Sequence, residues 1–404
     1  MWALLVLALQ AAPPATIAEI RVHGNYATPD ADVIGLSGLA PGHPADERTL
    51  AAAADRLTAS GRFEHVEVRR RFRSIDDPTD ILVVILVDEH AAATPDDPLP
   101  GRWPRLRSSL MWLPVLDYEE GYGLSYGVRV SAVDAIGDRT RVSVPAIWGG
   151  DRRVGVEVER RFDGGPLTRL SGGVATSRRV HPHFERADRR HEVWARAERS
   201  ATRWLRLGAG VRAAAVAFGG VDEDHRAAGL DVTVDTRIDP AFPRNAVFAS
   251  AGWQRLWSAG DDVHRWTFDG QGYLGLPRGL VLAARARAHL ADRPLPRAER
   301  PVIGGASSLR GYRAGFDAGD NVALASAELR VPLTSPLSVG RFGVTAFVDA
   351  GTAWPAGEPL GNRRFARGVG GGVYFGVAAF SAGVDLAWPA DGKARVHATL
   401  GVSF

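Results

Sequence analysis

The final segment of the chain, Arg395-Val396-His397-Ala398-Thr399-Leu400-Gly401-Val402-Ser403-Phe404, alternates between apolar and polar side chains. Its even-numbered residues are all apolar, whereas Arg395, His397, Thr399 and Ser403 share the other face. Residues 279–290 show the same split, with Arg285, Arg287 and His289 opposite leucines and alanines. A period of two indicates β-strands. Charges confined to one face predict strands with lipid on the outside and water on the inside.

The same alternation fills the chain after Trp103, in segments that end at Gly, Pro, Asp or Asn. An even number of strands of about 9–11 residues suits an outer-membrane barrel, because a closed ring leaves no unpaired backbone edge in lipid. A soluble propeller or sandwich would also alternate, but no repeat of about 40 residues supports a propeller. We predict a mainly β fold whose 16-stranded antiparallel transmembrane β-barrel covers residues 103–404. The predicted strands are 105–113, 121–133, 139–148, 152–162, 167–177, 189–200, 203–216, 227–236, 246–257, 262–275, 279–290, 320–332, 341–350, 365–376, 378–388 and 393–404.

Composition excludes several classes of protein. A chain of 404 residues with 45% hydrophobic and 24% charged residues is a folded protein rather than a disordered one. The absence of cysteine excludes a thiolate nucleophile, a redox pair and a Cys-ligated zinc. The net charge is only +3 and basic and acidic residues are interspersed, which argues against a nucleic-acid partner.

The N-terminal part of the chain has a different pattern. Within residues 1–12 an apolar run of about nine residues is too short to span a bilayer, and we predict a signal peptide over residues 1–15. Residues 16–89 read as a small α/β domain of order β-α-α-β-β, in which Thr28 is expected to cap the first helix and Gly61 to end the second. Ile81–Val87 is expected to be the central strand, hidden from water on both faces. The Pro- and Asp-containing residues 90–102 read as a linker.

Several ordered motifs resemble one family. Ile20-Arg21-Val22-His23-Gly24-Asn25, with Gly61-Arg62-Phe63, resembles a POTRA domain, and Gly304-Gly305-Ala306-Ser307-Ser308-Leu309-Arg310-Gly311-Tyr312 resembles the R-G-Y/F signature of the BamA/TamA-type outer-membrane assembly and secretion superfamily. Residues 325–332 and 347–354, the latter with Gly351, resemble the twelfth and thirteenth strands of that family. Asp235-Thr236-Arg237 with Pro243 resembles a further shared element, although Asn245 stands where the family usually has glycine. Asparagine also tolerates a left-handed conformation.

The resemblance implies that Arg310 latches the longest connection, 291–319, inside the barrel by pairing with Glu328 and Asp349. The chemistry agrees, because a guanidinium in a barrel lumen is costly unless carboxylates bind it. Gly311 would allow a tight turn and Tyr312 would pack on the wall. The alternative is an exposed loop arginine with no such role.

The resemblance also implies a function in outer-membrane protein assembly, with the POTRA domain in the periplasm of a bacterium. A client strand would pair with the POTRA edge at Phe63, Val66 and Val68, and then with the seam between strands 105–113 and 393–404. Pro104 and Pro114 would bracket the first of these strands and Gly401 would interrupt the last, which predicts a short and weak seam. We interpret Leu400, Val402 and Phe404 as a C-terminal assembly signal.

Other functions remain open at this point. One is a polypeptide secretion pore of the two-partner type, although such pores usually have two POTRA domains and a plug helix. Another is a channel or envelope anchor without clients. An enzyme ranks last, because Ser125 in Gly123-Leu124-Ser125-Tyr126-Gly127 lies inside a strand and His181, His183 and His191 lack metal-site spacing. We predict no cofactor or metal; the expected partners are outer-membrane lipids, unfolded outer-membrane or secreted polypeptides, and periplasmic accessory proteins.

Overall fold

The computed structural model describes residues 15–73, 80–90, 93–97, 109–134, 136–240, 242–258, 262–334, 340–377 and 380–402. The chain forms two compact units, Met1–Leu110 and Met111–Phe404. Residues 1–14 of the predicted signal peptide, residues 91–92 and 98–102 of the predicted linker, Pro104 and Phe404 lie outside the described residues.

The N-terminal unit has the predicted β-α-α-β-β order. Its elements are β1 (Thr16–His23), α1 (Asp30–Ser37), α2 (Glu47–Ala59), β2 (Phe63–Phe72) and β3 (Asp80–Glu89). The sheet order is β1-β3-β2, with β3 parallel to β1 and antiparallel to β2. Ile81, Val83, Ile85 and Val87 of β3 are buried with Leu50 and Leu57 of α2. Burial of this apolar face is the main stabilising contribution to the unit.

Two details of the predicted unit are wrong. The central position of β3 is confirmed, but the face of β3 that carries Leu82, Val84 and Leu86 is half-buried rather than hidden from water. Thr28 does not cap α1: Pro29 occupies the N-cap position without a side-chain hydrogen bond. Thr28 is instead buried, and its N–H donates to Glu89 Oε1 (2.7 Å), so a tertiary contact takes the place of local capping.

The second unit is a closed barrel of sixteen antiparallel strands, each paired with its neighbours in chain order. Two further short strands, Val302–Ile303 and Asp317–Ala318, pair with each other in the connection between the eleventh and twelfth barrel strands. The strands are β4 (Leu110–Glu119), β5 (Gly123–Val133), β6 (Thr140–Gly149), β7 (Arg152–Arg161), β8 (Arg169–His181), β9 (Arg186–Ser200), β10 (Leu205–Phe218), β11 (Val221–Asp235), β12 (Ala246–Trp257), β13 (Val263–Gly275), β14 (Val281–Ala291), β15 (Val302–Ile303), β16 (Asp317–Ala318), β17 (Asn321–Thr334), β18 (Gly340–Trp354), β19 (Ala366–Val377), β20 (Phe380–Pro389) and β21 (Arg395–Val402).

The first barrel strand differs most from the sequence prediction. Within the described residues it is β4 at Leu110–Glu119, whereas the predicted strand is 105–113, of which residues 105–108 lie outside the described residues. Pro114 therefore lies inside the strand instead of bordering it. A proline is tolerated there because a strand with a weakly paired side does not need every backbone N–H. Gly401 does not interrupt β21, since it pairs with Ser381 on one side and Asp117 on the other.

The two faces of the barrel wall differ in chemistry. Valines and leucines point outward and are exposed, among them Val174, Val193, Val211 and Leu230 on four successive strands. Ion pairs join neighbouring or next-neighbouring strands on the inner side, such as Arg153 with Glu192 (2.9 Å) and Arg285 with Asp269 (2.6 Å). An apolar exterior with paired charges inside is the pattern of a lipid-embedded barrel. In the described part of the chain, no helix has the length and apolar character needed to cross a bilayer.

Candidate functional site in the barrel lumen

Residues 292–320, which connect β14 to β17, form a loop inside the barrel that we call the lumen loop. Its Glu299 binds side chains of β9, β10, β11 and β13, whereas its Arg310 binds side chains of β17, β18 and β20. Strands β10 and β20 lie on opposite sides of the ring. The lumen loop therefore crosses the barrel interior.

Arg310 is the most heavily bonded residue of the lumen loop. Its Nε and Nη2 donate to the two carboxylate oxygens of Asp349 (2.8 and 3.0 Å), and its Nη1 donates to Glu328 (2.8 Å) and Asp385 (3.3 Å). Its guanidinium carbon lies 3.3 Å from the centre of the Phe347 ring. The Arg310 residue is 9% exposed and the Asp349 residue 1% exposed. Bidentate, charge-assisted bonds of this kind are the strong ones in proteins, and we call Arg310 with Asp349, Glu328 and Asp385 the latch.

Glycines allow the lumen loop to approach the wall at the latch. Gly311 has φ +94°, and a Cβ there would lie 2.9 Å from the backbone nitrogen of Pro389. A Cβ on Gly368 of β19 would lie 1.9 Å from the carbonyl oxygen of Arg310. Gly351 of β18 likewise leaves room for Leu324. Tyr312 donates its hydroxyl to the carbonyl of Arg367 (3.1 Å).

Glu299 forms a second anchor that sequence reasoning missed. Its carboxylate binds Arg190 (2.8 Å), Arg212 (3.2 Å), Arg265 (2.9 Å) and His225 (3.3 Å). Burial raises the pKa of Glu299, but the His225 hydrogen bond and the three guanidinium groups outweigh it and hold that pKa well below its ordinary value. The signal in the sequence is the excess of arginines on the lumen faces of the strands. That Glu299 is their shared partner can be recognised only once the closed ring brings these strands around it.

The junction between β4 and β21, which we call the seam, closes the barrel. Among the described residues, two positions pair across it: Leu400 with Tyr118, and Gly401 with Asp117. On its other side, β21 pairs with β20 continuously from Arg395 to Val402. The lumen loop touches both sides of the seam, because the Gly311 N–H donates to His397 Nε2 (2.8 Å) and the Ala306 N–H donates to Glu120 (3.1 Å). His397 and Glu120 contact each other at 2.5 Å.

The family-motif residues Asp235, Arg237 and Pro243 lie where β11 ends and in the connection from β11 to β12. Arg237 makes a two-point contact with Asp235 (2.9 and 3.1 Å) and covers the Phe248 ring at 4.4 Å. Pro243 is buried. Asn245 has φ +50°, so it adopts the left-handed conformation that asparagine tolerates better than most residues do.

The residues expected to bind clients occupy two places. Phe63, Val66 and Val68 lie on β2, an edge strand of the N-terminal sheet, and their side chains pack into the core of that unit. Leu400 and Val402 lie on β21, beside the seam. Client pairing at β2 would therefore use its backbone edge rather than these side chains.

The other sequence candidates show no assembled reaction centre. Ser125 lies in β5, and its hydroxyl accepts the N–H of Asp151 (2.9 Å). His183 contacts the carbonyl of Gly315 (3.0 Å), and His181 packs between Phe184 and Phe218. Within the described residues, His, Asp and Glu side chains do not gather in groups that could hold a metal ion.

We compared the chain with protein-family models, curated proteins and solved structures. A family model described as the Omp85 superfamily domain matches residues 180–404, and a POTRA model described as surface antigen variable number repeat matches residues 15–90. No curated protein matches the chain. The chain is similar in structure to BamA from Haemophilus ducreyi lacking POTRA domains 1–3, at 14% identity over 96% of this chain and 84% of that one, with a TM-score of 0.65.

Two further solved structures are similar. CdiB from Escherichia coli matches at 12% identity over 100% of this chain and 93% of that one (TM-score 0.55). CdiB from Acinetobacter baumannii matches at 12% identity over 97% and 74% (TM-score 0.52). These likenesses show a shared fold, and the family model covers more than half of the chain. The chain belongs to the Omp85 superfamily and carries an N-terminal POTRA domain.

Proposed function

We propose that this protein inserts β-strand clients into the bacterial outer membrane, with its POTRA domain in the periplasm. A client strand is received at the POTRA edge and then templated at the barrel seam. The observation that carries the proposal is the seam itself, which has two backbone-paired positions in the described residues while its neighbouring ladder runs along the whole of β21.

The described part of the seam is easy to open because few of its backbone hydrogen bonds must break. Each such bond contributes about 1 kcal/mol net. Pro114 cannot donate to the ladder from β4, which further limits pairing on that side. An opened seam exposes unpaired N–H and C=O groups in the membrane, and these can be satisfied by an incoming strand.

The POTRA sheet offers one free edge. The outer edge of β1 is occupied. The Ile17 N–H donates to the carbonyl of His43 (2.9 Å), and the Ile17 carbonyl accepts the N–H of Gly42 (2.7 Å). The Ala45 N–H donates to the carbonyl of Ala15 (2.9 Å). Strand β2 is the other edge of the sheet, and among the described residues no strand pairs with its outer side. An extended client segment can therefore add to β2 by backbone pairing.

A polypeptide secretion pore is the second candidate. The superfamily resemblance includes secretion proteins, and the lumen loop is held to the wall by polar side-chain contacts that a passing chain could replace. The loop crosses the lumen, however, so it must leave before a polypeptide can pass. A constitutively open channel fits this arrangement least.

A reversible seam lock distinguishes the two functions. The chain contains no cysteine, so paired cysteines can be introduced without background. The variant Asp117→Cys/Gly401→Cys joins two directly paired positions across the seam. The control Gly383→Cys/Thr399→Cys joins β20 to β21 and leaves the seam free.

Both variants are reconstituted in lipid vesicles and supplied with an unfolded barrel client. We expect oxidation of the seam pair to stop client insertion and a reductant to restore it, with no effect in the control. Insertion that continues through an oxidised seam would contradict the proposal. Continued transfer of a soluble polypeptide into vesicles with a locked seam would support secretion instead.

A further inference from the structure

We propose that Glu120 and His397 form a clasp that makes opening of the seam and release of the lumen loop one event. The proposal rests on the seam function above and names the residues that regulate it. Glu120 directly follows β4, whereas His397 lies within β21, so the two side chains come from opposite sides of the seam. They are in contact at 2.5 Å, and His397 is 1% exposed.

The hydrogen-bond directions define the state of the clasp. The Gly311 N–H can only donate, so His397 Nε2 must be the acceptor at 2.8 Å. The proton of the neutral imidazole then lies on Nδ1, which donates to the Glu120 carboxylate. The same carboxylate oxygen accepts the Ala306 N–H at 3.1 Å. Each partner across the seam is thus bonded to the other and to the lumen loop.

The clasp lies where the described backbone pairing ends. The register that joins Leu400 to Tyr118 and Gly401 to Asp117 would bring Ala398 opposite Glu120. The residues of β21 that precede Leu400, namely 395–399, have no backbone partner on β4 among the described residues. The side-chain bridge from His397 to Glu120 therefore continues the closure that the ladder does not provide.

The latch holds the lumen loop in the position that the clasp needs. Arg310 is fixed to β17, β18 and β20, and Gly311 follows it directly in the chain. Gly311 is confined by Trp388 and Pro389, against which a Cβ would collide. Its N–H is consequently presented to His397. Separation of β4 from β21 pulls Glu120 and His397 apart. Because Glu120 is bonded to Ala306 and His397 to Gly311, the lumen loop must then lose its bond to one side of the seam or the other.

Coupling of this kind is reciprocal. Loss of the clasp should increase the opening of both the seam and the lumen loop. Conversely, a seam held closed should protect the lumen loop. An independent loop and seam would show neither effect.

The test is amide hydrogen exchange of the full chain in lipid vesicles without any client. We compare the wild type with His397→Ala and Glu120→Ala, and monitor residues 110–119 and 395–402 for the seam and 304–316 for the lumen loop. We expect exchange in all three segments to become at least about tenfold faster, because each variant removes two hydrogen bonds and the loss of one bond to a charged group already accounts for about that factor.

Arg285→Ala is the matched control. It breaks an ion pair between neighbouring strands of the barrel wall, Arg285 with Asp269 (2.6 Å), that lies away from the seam and involves no residue of the lumen loop. Faster exchange at the seam in this control, or faster exchange in only one of the two regions in His397→Ala, would overturn the clasp. Glu120→Gln, which keeps the size of the side chain and an acceptor oxygen, should give a smaller effect and serves if the alanine variants do not fold.

A seam lock completes the test. Oxidised Asp117→Cys/Gly401→Cys should slow the exchange of residues 304–316 when His397 is present and have little effect on it in the His397→Ala background. Equal protection in both backgrounds, or protection in neither, would contradict coupling through the clasp. Because no client is present, this result is independent of client insertion. A failed clasp with lock-sensitive insertion refutes only the clasp, whereas a working clasp without insertion refutes only the proposed function.

Discussion

Removal of the Arg310 side chain should release the lumen loop from the barrel wall. In Arg310→Ala, the loop loses its bonds to Asp349, Glu328 and Asp385 and its contact with the Phe347 ring. The three carboxylates remain on the wall without the cation that they share. The perturbation therefore removes attraction and leaves uncompensated negative charge inside the barrel.

The expected free-energy cost of Arg310→Ala depends on which hydrogen-bond partners the carboxylates of the latch retain. Breaking a buried ion pair by removing one partner costs about 3–5 kcal/mol. Asp349 retains the Ser326 hydroxyl (2.7 Å) and the backbone N–H of residue 310 (3.1 Å), and Glu328 retains Arg330 (2.8 Å). These remaining partners place the cost at the lower end, about 3 kcal/mol, which is about a 100-fold shift in the equilibrium for loop release.

The assay is amide exchange of residues 304–316, with single-channel conductance as a second readout of loop displacement. Arg310→Lys should show an intermediate increase of about tenfold, because an ammonium cannot bind a carboxylate at two points as a guanidinium does. Arg285→Ala is the matched control: it breaks the Arg285–Asp269 pair on neighbouring strands without a loop contact. Equal loop exchange in Arg310→Ala and Arg285→Ala, or no change in either, would refute the reasoning.

Three further predictions concern other contacts. Glu299→Gln removes the shared counter-charge of three half-buried arginines and should speed exchange of residues 292–303 at least tenfold, with residues 395–402 less affected. Gly368→Ala should release the lumen loop as Arg310→Ala does, because its Cβ would meet the Arg310 carbonyl, whereas Gly272→Ala, with open space around it, should leave loop exchange unchanged. In the POTRA unit, burial raises the pKa of Glu89, but hydrogen bonds from Thr28, Ala27 and Tyr26 outweigh it and lower that pKa below 4.5. Because the folded-state pKa is lowered, this stabilisation is complete above pH 4.5 and is lost as the pH falls through the folded-state value. Glu89→Gln should lower the free energy of unfolding by about 2 kcal/mol at neutral pH and abolish that acid sensitivity. The measurement is amide exchange of residues 16–89, corrected for intrinsic rates.

The barrel could be predicted because its signal is local. A strand between lipid and water must alternate, and strands such as β14 and β21 carry that pattern within their own residues. The exception is the first strand, where Pro114 suggested a boundary but lies within β4. Proline marks a missing N–H donor, and only the neighbouring strands decide whether that donor was needed.

The candidate site was less accessible to sequence reasoning because most of its contacts span the ring. Arg310, Glu328 and Asp349 could be singled out by their motif and by the cost of an unpaired guanidinium. Asp385 was not, although it also binds Arg310 (3.3 Å), because it lies three strands after Glu328. Thr28 shows the same limit in the POTRA unit, where its backbone bond to distant Glu89 replaced the expected local cap.

The sequence by itself determined the alternation of the wall, the two-part organisation and the family, because these depend on side-chain period and short motifs. Only the tertiary structure decided that Glu299 joins three arginines from separate strands and that Glu120 meets His397 across the seam. The physical reason is closure. Residues 277 positions apart become neighbours only when the last strand pairs with the first, and no local pattern in the chain carries that distance.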